Sequence, residues 1–352
     1  MSHELDFTKG IAAIAIADGT QMPWHNHVNE YLQPDDSPEE IVRKSGLDFT
    51  VKKADIVYNA ELDSGDTIKK EADNRAVIYR ADTGDFLSTM SKSNYVPAQP
   101  LDLVKGLVEL TRNKGFVIDC VMALQGGKVI SALARREGDV GQVDKAGKDI
   151  ILPYCGLLTS FDGTLARSGS LTSVRRVCMN TVRFSLESDS TITTKQRNTK
   201  EFTLEQANAL FDKLGEFDAS FARHLEELRE MTKVKVTEEQ AARFFAKLYA
   251  PEAFDNLDDW DSKAIIDLNS DKVSTNKRNT IADLMNAFYD GPGANLKTAD
   301  GTLYGMFQAV TYFQDHEARS KGDKRWESAS LGNGKRKKDE AYELAKDLIS
   351  AA

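Results

Sequence analysis

The sequence predicts an α+β protein, with an antiparallel, curved β-sheet packed on helices and a helical C-terminal region after it. Three observations carry this expectation. Strand-like segments cluster between Leu47 and Lys200 without regular β-α alternation, which disfavours a doubly wound parallel sheet. Phe116–Leu124, Gln125-Gly126-Gly127-Lys128 and Val129–Arg135 read as one hairpin, because two glycines supply the positive φ angles of a tight turn. Beyond Glu201, Thr203-Leu-Glu-Gln206 and Thr237-Glu-Glu-Gln240 are capping boxes that announce helices.

The chain divides into three zones: residues 1–46, 47–200 and 201–352. The first is expected to be irregular except for one short helix, with Ser37 as N-cap, Pro38 at the first helical position, Glu40 closing a capping box and Gly46 past the end. In the second, Asp48–Tyr58 and Arg75–Tyr79 have strand composition, and Ala81–Gly84 turns into a strand over Phe86–Met90. Leu101–Asn113 follows as a helix stopped by Gly115, then the hairpin, then a strand over Ile150–Leu158 with a turn at Phe161-Asp162-Gly163. In the third, Ala207, Phe211, Leu214, Phe221, Leu225 and Leu228 make a long amphipathic helix suited to its own domain or to a partner. Pro251 closes the second helix, Asp255–Asp261 is an acidic turn, and Thr302–Ala318 and Asp339–Ile349 are further helices.

Composition narrows the class. A chain of 352 residues with 41% hydrophobic and 29% charged content can bury a large core and is expected to be soluble. The longest apolar run, Ile11–Ala17, is far too short to cross a bilayer, and His3, Glu4 and Asp6 stand where a signal peptide needs basic residues. The expected location is therefore the cytoplasm, with no membrane partner. Cys120, Cys155 and Cys178 are isolated among apolar neighbours and read as buried free thiols. His25 and His27 lack a third metal ligand nearby.

Catalytic frameworks are missing at diagnostic spacing. Gly141–Lys148 is a poor phosphate loop, since its glycines are one residue too far apart and Asp149 replaces the required Ser or Thr. Asp315-His316 would be a base and its orienter, but neighbours on a helix point apart. No enzyme activity, metal or cofactor is expected.

Anion binding is what remains. Ser170–Leu186 is expected to be a helix that presents Arg176, Asn180 and Arg183 at i, i+4, i+7 and packs Val174, Val177, Cys178, Thr181 and Val182 inward. From Leu165 to Lys200 seven basic residues face two acidic ones, a local +5 in a chain of net charge −9. Ser168–Ser173 would then put hydroxyls and free N–H groups at a helix N-terminus, a phosphate seat. The candidate site is Ser170, Thr172, Arg175, Arg176, Asn180, Arg183, Lys195 and Arg197, with Lys335 and Arg336 from a second basic stretch, Arg319–Lys338, of local charge +6. Lys335–Lys338 begin the last helix, where positive charge opposes the macrodipole. Trp326, Tyr95 and Tyr304 are candidates for stacking on bases.

These residues also carry a family likeness. The chain resembles the phage/plasmid-like proteins of a family of unknown function found on bacterial mobile elements, which implies a bacterial host. The likeness rests on Pro23-Trp24-His25, Gly126-Gly127-Lys128, Thr172–Thr181, Gly301–His316 and Arg325–Gly332, and departs at Met179 and Gln308, each expected to be Asn. The middle zone resembles, by fold analogy, the single-strand annealing recombinases of the Redβ, RecT and Erf kind, which implies a sheet against a helix and an oligomeric basic groove. The expected function is single-stranded DNA binding by a homo-oligomer in annealing or recombination. A protein-interaction or assembly module is the alternative, and an enzyme acting on a phosphate-bearing small molecule the third.

Overall fold

The computed structural model describes residues 5–17, 30–136, 141–163, 167–175, 180–182, 194–196, 217–254, 271–318, 328–329 and 332–351. The first zone is less irregular than expected. Its apolar run forms β1 (Ile14–Ala17), which pairs parallel with β2 (Glu30–Leu32) and antiparallel with the glycine hairpin. Ile14 and Ile16 belong to one apolar cluster and Ala15 to another, all three buried. A strand covered on both faces needs an unbroken apolar run, which is why alternation gave no warning of it. The short helix α1 (Pro38–Lys44) is capped as expected: Ser37 Oγ accepts from the Glu40 N–H at 3.2 Å, and the Glu40 carboxylate accepts from the Ser37 N–H at 2.8 Å.

Next come β3 (Val51–Glu61), β4 (Thr67–Arg80) and β5 (Phe86–Ser91), an antiparallel sheet in that order. The first two run well past the predicted strands as a ribbon on which Val57 and Tyr58 are about half exposed, at 49% and 50%. A ribbon with neither face buried has no alternation to read. At its base the Arg80 guanidinium is fully buried, donating to Asp6 at 2.5 Å and Asp82 at 2.9 Å and lying 4.0 Å from the Phe49 ring.

Helix α2 (Pro100–Lys114) leads into the hairpin β6 (Phe116–Leu124) and β7 (Val129–Arg136). Its turn uses left-handed backbone at Gln125, Gly126 and Gly127. A Cβ on Gly127 would lie 3.0 Å from Arg80 Nη1, whereas one on Gly126 meets nothing within 4 Å. Gly126→Ala is therefore expected to cost about 1–2 kcal/mol, the backbone penalty alone. Gly127→Ala should cost more, because Arg80 must also move. Equal shifts of the urea midpoint in the two variants would remove Arg80 from the explanation.

The sheet continues through β8 (Gly141–Gln142), β9 (Ile150–Ser160), β10 (Arg167–Arg175), β11 (Asn180–Val182) and β12 (Thr194–Gln196). Its main order is β11-β10-β9-β7-β6-β1-β2, with β8 on β9 and β12 on β10. The helix expected over Ser170–Leu186 is corrected here. Residues 168–175 pair antiparallel with β9, from Ser168↔Leu158 to Arg175↔Ile151, and Asn180–Val182 folds back on the same strand. Thr172, Val174, Thr181 and Val182 are β-branched, and β9 offers backbone partners along the whole strand. That pairing outweighs the helical spacing of three polar side chains. The phosphate seat at a helix N-terminus falls with it, since residues 168–173 lie within β10.

The C-terminal region is helical, as expected, with α3 (Phe217–Lys233), α4 (Glu238–Tyr249), α5 (Thr275–Asp290), α6 (Leu303–Tyr312), a π-helical turn over Phe313–Glu317, and α7 (Asn333–Ala351). Thr237 and Gln240 form their capping box at the start of α4. Phe221, Leu225 and Leu228 are buried on α3, which packs on β8, α6 and α7 of its own chain. Ala207, Phe211, Leu214, the Thr203–Gln206 box and the Asp255–Asp261 turn lie outside the described residues. One apolar cluster runs from Ala13 through the sheet and helices to Ala345; a second, including Leu5, Met122 and Leu158, covers the other sheet face. Cys120 and Cys155 are buried and free, and burial pushes the Cys155 thiol up to about 12, so it stays protonated. Among the described residues no helix is long and apolar enough to cross a membrane.

Candidate nucleic-acid interface

Arg175, a member of the expected site, is interior. It is 2% exposed, and its guanidinium grips Asp149 with two parallel hydrogen bonds, Nε to Oδ1 at 2.8 Å and Nη2 to Oδ2 at 2.7 Å. Nη2 also reaches the Gly293 carbonyl at 3.2 Å, Thr298 Oγ1 donates to Asp149 at 2.5 Å, and the Tyr304 ring centre lies 5.0 Å from the guanidinium carbon. A phosphate has no access to a group so enclosed, and its charge is already met. Arg175 is a structural tie between β10, the loop before β9 and the turn between α5 and α6. Asp149, which spoils the phosphate-loop pattern in the sequence, is its counter-ion. Tyr304 is buried in this cluster rather than offered to a base.

Two residues back on the same face of β10, Ser173 begins a second buried chain. Its Oγ lies 3.0 Å from His224 Nε2 on α3, and His224 Nδ1 lies 2.7 Å from the Tyr342 hydroxyl on α7. Tyr342 donates its one proton to Glu227. Its oxygen must then accept from His224, which places the imidazole proton on Nδ1 and leaves Nε2 to accept from Ser173. Burial drives the His224 pKa down to about 3, so the ring is neutral. The sequence reading took Ser173 only as part of the phosphate seat and missed His224 and Tyr342. The signal present was the period of two that joins Ser173 to Arg175, visible only once the segment is a strand.

In the second basic stretch the described cations, Lys335–Lys338, are also internally matched. Lys335 pairs with Asp339, Lys337 with Glu340 at 2.6 Å, and Arg336 stands 3.6 Å from Glu340. Lys338 is buried against Asp315 at 2.6 Å, across to the π-turn. These carboxylates offset the cost of positive charge at the start of α7. Lys335 and Arg336 are thus not held out as a bare cationic patch, although both stay at the surface of the helix.

The remaining members group by topology. Strand β9 occupies one edge of β10, so β11 and β12 take the other: β12 pairs with Arg167–Gly169, and β11 with Ser173–Arg175. Lys195 is the register partner of Ser168, Asn180 that of Arg175, and Ser170 and Thr172 fall between the two short strands. Arg176, Arg183 and Arg197, like Trp326, His25 and His27, lie outside the described residues. Arg183 follows β11 directly in sequence, and Arg197 follows β12.

Comparison with known proteins gives one match. A family model described as a domain of unknown function, DUF932, covers residues 87–346, from β5 into α7, and leaves β1 to β4 outside. No curated protein and no solved structure matches the chain. The covered span takes in the sheet edge, both buried polar chains, α3 to α6 and most of α7, and on that extent the chain belongs to the DUF932 family.

Proposed function

We propose that this chain binds single-stranded nucleic acid along the β11–β10–β12 edge of its sheet, as a homo-oligomeric annealing or recombination factor of a phage or plasmid, without covalent chemistry. One observation supports the reading above others. β11 and β12 both return to β10, so Arg167, Asn180 and Lys195, from a segment with a strong positive balance, lie on neighbouring strands at one sheet edge. Arg175 is taken up by Asp149, so the reading rests on the other basic residues between Leu165 and Lys200, of which Arg167 lies on β10 and Lys195 on β12. Contacts of this kind track the backbone of a strand without reading its sequence.

The test is retention of a labelled single-stranded oligonucleotide between about 50 and 200 mM salt. Binding should weaken steeply with salt, and Lys195→Ala combined with Arg197→Ala should flatten the log–log slope by about 1.4, two phosphate contacts on a single strand. An unchanged slope and affinity in that variant would take the edge out of the site. The ribbon β3–β4 favours a second reading, an assembly module of a mobile element, because Val57, Tyr58 and Leu62 are exposed on a two-stranded element that is marginal on its own. Self-association through that ribbon should be nearly indifferent to salt.

A further inference from the structure

A cavity of about 360 Å³ opens between α4, α5, the π-turn and the start of α7, lined by Tyr249, Asn276, Asn279, Asp283, Phe313 and Gln314 among others. Its volume is that of a small-molecule site. Three features of its wall are unusual together. Asn276, Asn279 and Asp283 stand at i, i+3 and i+7 on α5, a polar stripe along the cavity wall with Asn276 and Asn279 exposed, while Ile281, Leu284 and Phe288 take the core side. Phe313 and Gln314 come from the π-helical turn, a rare geometry that concentrates at functional sites. Gln314 is buried, its amide nitrogen donating to the Tyr249 hydroxyl at 2.7 Å, and Gly334 is what admits it, since a Cβ there would lie 2.8 Å from Gln314 Oε1.

The donor set restricts the ligand. Among the described residues that line the cavity the polar side chains are carboxamides, hydroxyls and one carboxylate. Carboxamides present a donor and an acceptor side by side, which matches the edge of a heterocycle, and Asp283 accepts only. Phe313 and Tyr249, with ring centres 6.1 Å apart, add apolar and π surface. We infer that this cavity binds a nucleobase carrying an exocyclic amino group, its edge on the amides of α5 and its face against Phe313 or Tyr249. The edge is the same whether it arrives on a free nucleoside or at a base of a strand. The inference stands apart from the sheet edge and does not require it.

Calorimetric titration of the full chain with adenosine, guanosine, cytidine and uridine tests it, with ribose and inorganic phosphate as controls. At least one amino-bearing nucleoside should bind, uridine more weakly, ribose and phosphate not at all. Asn279→Ala combined with Asp283→Ala, both at the helix surface, should weaken that binding by about tenfold. Gly334→Ala should weaken it too, by pushing Gln314 aside. Absence of binding by every nucleoside, or unchanged affinity in the α5 double variant with its circular dichroism intact, overturns the inference. Competition by a short oligonucleotide ending in the preferred base assigns the site to strand binding; its failure assigns it to free nucleosides. The Lys195→Ala/Arg197→Ala variant should keep nucleoside binding, so loss of the edge and loss of the pocket are read separately.

Discussion

Asp149→Ala is expected to cost about 3–5 kcal/mol of folding stability, because it strands a buried guanidinium without its counter-ion. The residue it removes accepts three hydrogen bonds, two from Arg175 and one from Thr298. Both charged partners are essentially excluded from solvent, at 0% and 2% exposure. A guanidinium has no neutral form to retreat to at any ordinary pH, so the cost cannot be escaped by losing a proton. The reverse variant differs in kind. Arg175→Ala leaves a carboxylate that keeps the Thr298 hydroxyl as a partner, so its loss should be smaller. Replacing both, Asp149→Leu with Arg175→Met, should recover most of the stability, since an apolar pair of similar volume avoids desolvating two charges. Urea unfolding of the three variants at pH 7 checks the ordering. A loss below about 1 kcal/mol for Asp149→Ala would mean that the pair is screened as a surface bridge is. The folded double variant also separates structure from function: oligonucleotide retention should survive in it, because Arg175 has no path to a phosphate.

How far this arrangement was legible in the sequence depends on what each signal measures. Caps and glycine turns are local, and Ser37 with Glu40, Thr237 with Gln240, and Gly126-Gly127 all act as read. The α+β class followed from them. The segment over Ser170–Leu186 failed because its polar residues fit a helix by chance, while the decisive fact, a free edge on β9, is non-local. Charge counting over the same stretch was sound as a tally but blind to partners: nothing near Arg175 in sequence announces Asp149, 26 positions away, or Thr298, 123 positions away. The polar stripe of α5 was readable, since Asn276, Asn279 and Asp283 keep helical spacing. That it borders a cavity depends on α7 and the π-turn packing beside it.

Between pH 7 and 5 the protein is expected to lose about 2 kcal/mol through His224 alone, a consequence of how α3, α7 and β10 meet. The ring is fully enclosed, and desolvation holds its pKa near 3 against an ordinary 6.5. Below pH 6.5 the unfolded chain takes up a proton there while the folded chain refuses it until about pH 3. The contribution of a neutral His224 is therefore complete above pH 6.5 and falls by about 1.4 kcal/mol for each unit below it. Hydrogen bonding does not forbid protonation, because the Ser173 hydroxyl could turn and accept from a protonated Nε2. The obstacle is the charge itself, in a desolvated site where the ring's partner Tyr342 is already bonded to Glu227. Glutamine is the informative replacement. Its amide can donate to Tyr342 and accept from Ser173 as the imidazole does, yet it does not titrate. His224→Gln should therefore be somewhat less stable at pH 7, through lost packing against Tyr342, whose ring centre is 5.4 Å away. From pH 7 to 5 its urea midpoint should stay flatter than that of the parent. Parallel curves for the two proteins would show that acid sensitivity in this window comes from elsewhere, and that the Ser173–His224–Tyr342 chain admits a proton as readily folded as unfolded.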